Sequence, residues 1–255
     1  MSEIITYELP LNERVRTFLR LEDLFFQMEH FAQQDAPYQN RAELGCLLDI
    51  LSIAGRSDLR NEITKEIERH IKRLVIFTQN PHVDRKKLQE SISQLTLLNQ
   101  KLIAFEGRID QQASNIQLLK SLAQRSSIPG GTCDFDLPSY HFWLNQPVEI
   151  RRQQIHDWSE NLHSIKESIA LLLQFIRFSS APIIKTAISG FYQQALNSSQ
   201  AVQLLRVSVA TSVFAFAEIS GGKHRFSVRF MQPSETERAS QVTGNIDFTL
   251  HICQL

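Results

Sequence analysis

The sequence predicts an α+β protein: a mostly helical bundle domain plus an antiparallel β domain formed by the C-terminal strands and the N-terminal strand. Up to about residue 180 the apolar residues recur at helical spacing. From about residue 183 onward they alternate at period two between Gly, Ser and Asn turn signals, so the chain changes class once, near Pro182. The opening Ile4 to Leu9 is also β-rich, and one Pro-containing step separates it from the helical part. A lone strand cannot pair its backbone groups, so this segment is expected to join the C-terminal sheet. The expected domains are 10–180, helical, inserted into a β domain made of 1–9 with 183–255.

Asn12 is a good N-cap before Glu13, and Leu11, Val15, Phe18, Phe25 and Met28 form an apolar stripe opposite Arg14, Arg16 and Arg20. A second helix is expected over Arg41 to Ala54, stopping at Gly55. A third, densely charged, carries Leu59, Ile63, Ile67 and Leu74 and ends before Pro81. Leu88, Ile92, Leu95 and Leu102 mark a fourth helix, and Ile116, Leu119 and Ala123 a short fifth before the break at Pro129-Gly130-Gly131. Short connections make antiparallel neighbours of these helices. The longest pattern is Trp158, Leu162, Ile165, Ile169, Leu172 and Ile176. It suits a bundle core or an oligomer seam, since both need one continuous apolar stripe, and a core is the first expectation.

Beyond Pro182, four alternating segments read as strands: Ile184, Thr186 and Ile188; Val213, Ala215, Ala217 and Ile219; Phe226, Val228 and Phe230; and Ile246, Phe248, Leu250 and Ile252. Gly221-Gly222, flanked by two of them, reads as a hairpin turn rather than a phosphate cradle.

Composition removes several function classes. The 255 residues carry 27 Lys plus Arg against 27 Asp plus Glu, which excludes a polybasic or polyacidic binder. At this length about 70–75% of the unfolded surface is buried, so a core forms without staples. Three widely spaced cysteines, Cys46, Cys133 and Cys253, argue against a secreted disulfide framework. The N-terminus lacks a basic region followed by an apolar one, and no apolar run approaches the ~18–20 residues of a membrane span. A cytoplasmic protein without membrane insertion is expected.

Candidate chemistry is sparse. No CxxC, HxxxH or HExxH spacing occurs, and neither phosphate-loop nor dinucleotide fingerprints are present, so no metal, nucleotide or other cofactor is expected. Cys133-Asp134-Phe135-Asp136 with His141 supplies the residue types of a thiol hydrolase or transferase, yet the order matches no strong signature, and loop and core roles fit better. Pro129-Gly130-Gly131 reads as a tight turn. The strongest signal lies on the last hairpin, where Arg225 and Arg229 flank Ser227 while Phe226, Val228 and Phe230 take the alternate positions. Period two puts the guanidinium groups on one face, extended by Lys223 and His224, and the apolar groups on the other. Such a face is either an ordinary solvated surface or a docking site for an acidic partner. Nucleic acid would exchange counterions for such contacts, but the neutral overall charge weighs against it. A carboxylate-bearing peptide fits a small Arg cluster better.

Several separated motifs resemble the ZapD family of bacterial cell division proteins. These are Pro10-Leu11-Asn12-Glu13 with Arg16-Thr17 and Leu19-Arg20; Ser127-Ile128-Pro129-Gly130-Gly131, Cys133, Phe135-Asp136-Leu137-Pro138, His141 and Trp143-Leu144; Gly190-Phe191-Tyr192-Gln193, similar to that family's first C-terminal strand; and Arg225-Phe226 with Val228-Arg229-Phe230-Met231. The resemblance implies a non-enzymatic, homodimeric factor that binds the C-terminal tail of the tubulin-like GTPase FtsZ and bundles its filaments at midcell. It also implies that Arg16, Arg56, Arg225 and Arg229 contact the tail and that Arg20 and His141 serve bundling. Gln117 stands where a relative places a basic residue, with Lys120 and Arg125 nearby.

Overall fold

Asn12 opens the first helix, α1 (Glu13–Ala32): its Oδ1 accepts the Val15 amide at 2.9 Å, satisfying a donor that every helix N-terminus leaves over. Val15, Phe18, Leu21 and Phe25 are buried along its stripe. The computed structural model describes residues 3–56, 58–78, 84–104, 109–197 and 201–254. α2 (Pro37–Arg56) starts four residues earlier than Arg41, with a proline in its first turn where the missing amide is harmless, and runs one residue past Gly55. α3 (Leu59–Phe77) packs on α4 (Arg85–Ala104). The four-residue α5 (Gln111–Ser114) precedes α6 (Gln117–Arg125), so the helix expected around Leu119 is the sixth, not the fifth. α7 (Pro138–Leu144) follows the glycine turn.

The long helix expected from Trp158 to Ile176 is instead three pieces. α8 (Val148–Ser159) passes through a 3-10 turn, Glu160–Leu162, into α9 (His163–Arg177). The stripe itself survives the interruption, with Leu162, Ile165, Ile169, Leu172 and Ile176 at most 2% exposed. A single chain buries it, so it is core and not an oligomer seam.

Contacts divide the chain into two compact units, residues 1–16 with 173–255 and residues 17–172. The first unit holds β1 (Ile4–Pro10), β2 (Ile183–Ala187), β3 (Phe191–Ala195), β4 (Val202–Ala210), β5 (Phe216–Gly221), β6 (Arg225–Gln232), β7 (Ser240–Gln241) and β8 (Ile246–Gln254). One sheet has the order β1-β4-β8-β2 and the other β3-β6-β5, with β7 beside β6; every pair is antiparallel. The N-terminal strand joins the C-terminal strands as expected, from Ile4 opposite Ala210 to Pro10 opposite Leu204. Inner-face residues of both sheets, among them Val207, Phe226, Phe230, Phe248 and Leu250, share one core, where the Phe248 ring lies 5.4 Å from both Phe230 and Tyr192.

Three strand expectations are corrected. β4 is missing from the sequence reading. β5 starts at Phe216 rather than Val213, because Val213 and Ala215 donate their amides into a turn. The Phe191 strand is the second C-terminal strand, since β2 precedes it. Ser189-Gly190 between them is a two-residue turn with φ of 49° and 70°, the positive pair that a type I′ turn needs. Gly190 has a further reason: a Cβ there would lie 2.5 Å from the Val242 carbonyl oxygen.

On the outer face of the first sheet, Glu8 accepts a forked pair of bonds from Arg177 (2.9 and 2.8 Å) and a third from Arg206 (2.8 Å). Burial pushes the Glu8 carboxyl up, but the bonds and charge of Arg177, joined by Arg206, outweigh it and hold the group below its ordinary value of 4.5. A depressed carboxylate stabilises the fold above its unfolded value, and that contribution is lost as pH falls through the folded one. Glu8→Gln is expected to lower stability by about 1–3 kcal/mol at pH 7. Thermal unfolding followed from pH 7 to pH 3 checks the sign: the gap between wild type and variant narrows below about pH 4.5.

Candidate functional site on the basic strand

β6 separates its side chains as the alternation demands. Phe226, Val228 and Phe230 are buried, whereas Arg225 and Arg229 are exposed on the opposite face with Ser227 between them. Four residues along a strand span about 13 Å, far enough for the two arginines to hold separate carboxylates of one extended segment. The sheet register adds neighbours that no local pattern reveals. Phe191 on β3 and Glu218 on β5 sit opposite Arg229, Gln193 and Ser220 sit opposite Ser227, and Ala195 sits opposite Arg225. The Arg229 guanidinium carbon lies 5.9 Å from the Phe191 ring centroid, a cation–π arrangement.

Phe191, Gln193, Ser220, Ser227 and the hairpin loop line a groove of about 510 Å³ that contains Lys223, His224, Arg225 and Arg229 and no carboxylate. Gly221 ends β5 opposite Phe226, the Gly222 amide donates to Arg225 O at 3.0 Å, and Lys223-His224 form the tip of the hairpin. The groove offers hydrogen-bond donors, positive charge and the Phe191 aromatic face, which is the chemistry that receives an acidic, partly apolar peptide.

The other sequence-predicted residues are placed separately. Arg16 lies on α1, where its Nε pairs with Glu13 at 3.2 Å, and it does not line the groove. Leu9 and Leu11, just before α1, come within 3.4 Å of where a Gly221 Cβ would be, so the chain leading into α1 passes beside the hairpin. Arg56 ends α2 in the helical unit, and its side chain lies outside the described residues. Arg20 is exposed on α1 and His141 is exposed on α7, not buried in a turn. The Cys133 thiol donates to Asp136 Oδ2 at 3.3 Å rather than to an imidazole. Among the described residues no cluster of His, Cys, Asp or Glu suits a metal ion, and no helix is long and apolar enough to cross a membrane.

Fold and site define an α+β protein with a helical unit, a two-sheet β unit and an exposed basic strand face. Comparison with known proteins gives the family: a model named ZapD and described as a cell division protein matches residues 19–229, and the chain belongs to that family. It is 44% identical over 255 residues to the cell division protein ZapD of Methylococcus capsulatus, with 100% of both chains covered. The corresponding protein of Aromatoleum aromaticum is 36% identical over 252 residues, covering 99% of this chain and 98% of that one. That of Ralstonia pickettii is 37% identical over 251 residues, covering 98% and 99%. These relatives assign the chain a role in bacterial cell division. Of the candidate residues, Arg16 alone falls outside the matched span.

Proposed function

We propose that the protein is a non-enzymatic, cytoplasmic crosslinker that binds the C-terminal tail of FtsZ through the β6 groove and, as a homodimer, bundles FtsZ filaments at the midcell ring. The observation that carries this reading is the carboxylate-free groove holding Arg225 and Arg229 on one strand face beside Phe191. The family resemblance also assigns Arg16 and Arg56 to tail contact, and Arg20 and His141, both exposed, to filament bundling. Lys120 and Arg125, both beyond Gln117 on α6, give a bundling surface rearranged from that of a relative with a basic residue at that position. Bivalency is the mechanism: joining two modest sites in one dimer raises the effective concentration of the second tail, and avidity exceeds single-site affinity by ~10²–10⁴. Bundling slows subunit exchange and so lowers GTPase turnover by FtsZ.

Titration of a labelled FtsZ C-terminal peptide into the protein tests the reading. Saturable binding of one peptide per protomer, weakened by salt, is expected. Absence of binding at low salt overturns it. A variant verified as a monomer is expected to bind the peptide with wild-type affinity and fail to raise light scattering from FtsZ filaments. Full bundling by that monomer removes the crosslinking mechanism.

A further inference from the structure

A second cavity, in the helical unit, has a different chemistry. About 320 Å³ of space opens between α2, α6, α7 and the turn at Pro129-Gly130. Its walls carry Arg41, Arg125, Thr132 and Tyr140 and no carboxylate, and its floor is apolar, with Leu44 and Leu122 both buried. Arg41 donates to the Thr132 hydroxyl, and Arg125 Nη1 donates to Asp136 Oδ1 at 3.3 Å. A guanidinium has five N–H donors, so each arginine keeps donors in reserve.

Tyr140 is the decisive residue. Its side chain is only 1% exposed, and among the described residues its hydroxyl has no hydrogen-bond partner although it lines the cavity. Burial pushes this phenol up to about 12 against the opposing charge of Arg41, so it stays a neutral donor at physiological pH. The hydroxyl gives up no protein acceptor, so a bound anion can accept its hydrogen bond without breaking one inside the protein. Two amides of the neighbouring turn are already used, Gly131 N on Ile128 O and Cys133 N on Gly130 O.

We infer that this cavity is a binding site for a small organic anion, one carboxylate or phosphate on a compact apolar body. The anion takes donors from Tyr140, Arg41 and Arg125, and the body lies on Leu44 and Leu122. A cavity of this size holds about ten heavy atoms, which corresponds to a Kd of about 0.1–1 mM. Nothing in this inference depends on the β6 groove or on FtsZ.

Calorimetric titration of the full chain with 3-phenylpropionate and phenyl phosphate is the test, set against 3-phenylpropionamide and inorganic phosphate. Both organic anions are expected to bind, and both controls at least about tenfold more weakly. Tyr140→Phe keeps the ring and removes only the donor, so affinity falls about tenfold. A Cβ at Gly45 meets nothing within 4 Å, so Gly45→Leu projects into the cavity without a backbone clash and abolishes binding. Thermal unfolding of each variant confirms that it folds. Equal affinity for the amide, equal affinity for inorganic phosphate, or wild-type affinity in both Tyr140→Phe and Gly45→Leu each overturns the assignment, the last because it moves the ligand to another surface.

Discussion

If the proposed tail site is right, replacing Arg225 and Arg229 together by Ala is expected to lower affinity for an FtsZ C-terminal peptide by roughly 100-fold without unfolding the protein, since both side chains are exposed and the buried half of β6 is untouched. The single changes are unequal. Arg229 faces Glu218 across the β5–β6 pair and lies over the Phe191 ring, so part of its charge is already offset, whereas Arg225 faces Ala195 and the hairpin loop. Arg225→Ala therefore costs about tenfold or more and Arg229→Ala less, with a double change that departs from the product of the singles because both groups hold one partner. Glu218→Gln is expected to strengthen binding by about two- to threefold, an increase that no loss of fold can mimic. Calorimetric titration of the wild type, both singles and the double at two salt concentrations measures these terms, and added salt shrinks the wild-type advantage. Affinities within error of wild type for the double variant relocate the tail site.

The largest stability effect belongs to a residue with no exposed role. Arg151, only 6% exposed, donates to Asn40 Oδ1 at 2.8 Å and to the carbonyl oxygens of Leu144 (2.9 Å), Gln146 (2.5 Å) and Asp35 (2.7 Å). One side chain on α8 thus ties the end of α7 and the segment before α2, and Asn40 passes the network on to the buried Glu43 at 3.3 Å. Arg151→Met leaves several acceptors short of donors in the interior, at a cost of about 3–5 kcal/mol. The thermal midpoint is expected to fall by about 8–15 °C. Its neighbour is the control: Arg152 pairs with Asp35 at 2.5 Å, but both side chains are half exposed, and Arg152→Ala changes stability by less than about 1 kcal/mol. Comparable losses from both variants contradict the buried network.

Where structure follows from neighbours in sequence, the chain announces it. The Asn12 cap, the buried stripe of α9, the class change near Pro182 and the in–out alternation of β6 each need only the geometry of one element. The same reasoning identifies Arg225 and Arg229, because strand period alone fixes which face they share. β4 escaped it because Gln203, Leu204 and Leu205 are buried in succession, on both faces of the sheet, and the register with β8 shifts between Val202 and Leu204. α7 escaped because seven residues make only about two turns, too few for a period to declare itself. The 3-10 break before α9 escaped because Leu162 stays buried through it.

Tertiary structure alone decided which residues meet across long separations. Phe191, Gln193 and Ser220 enter the groove only because the sheet order places β3 and β5 on either side of β6. Glu8 finds Arg177 and Arg206, and Arg151 finds Asn40 and Asp35, through folds of the chain more than a hundred residues long. Sequence periodicity reports the face a side chain takes on its own element. The partner across that face is set by strand register and helix packing, which are properties of distant segments brought together, and no local pattern encodes them.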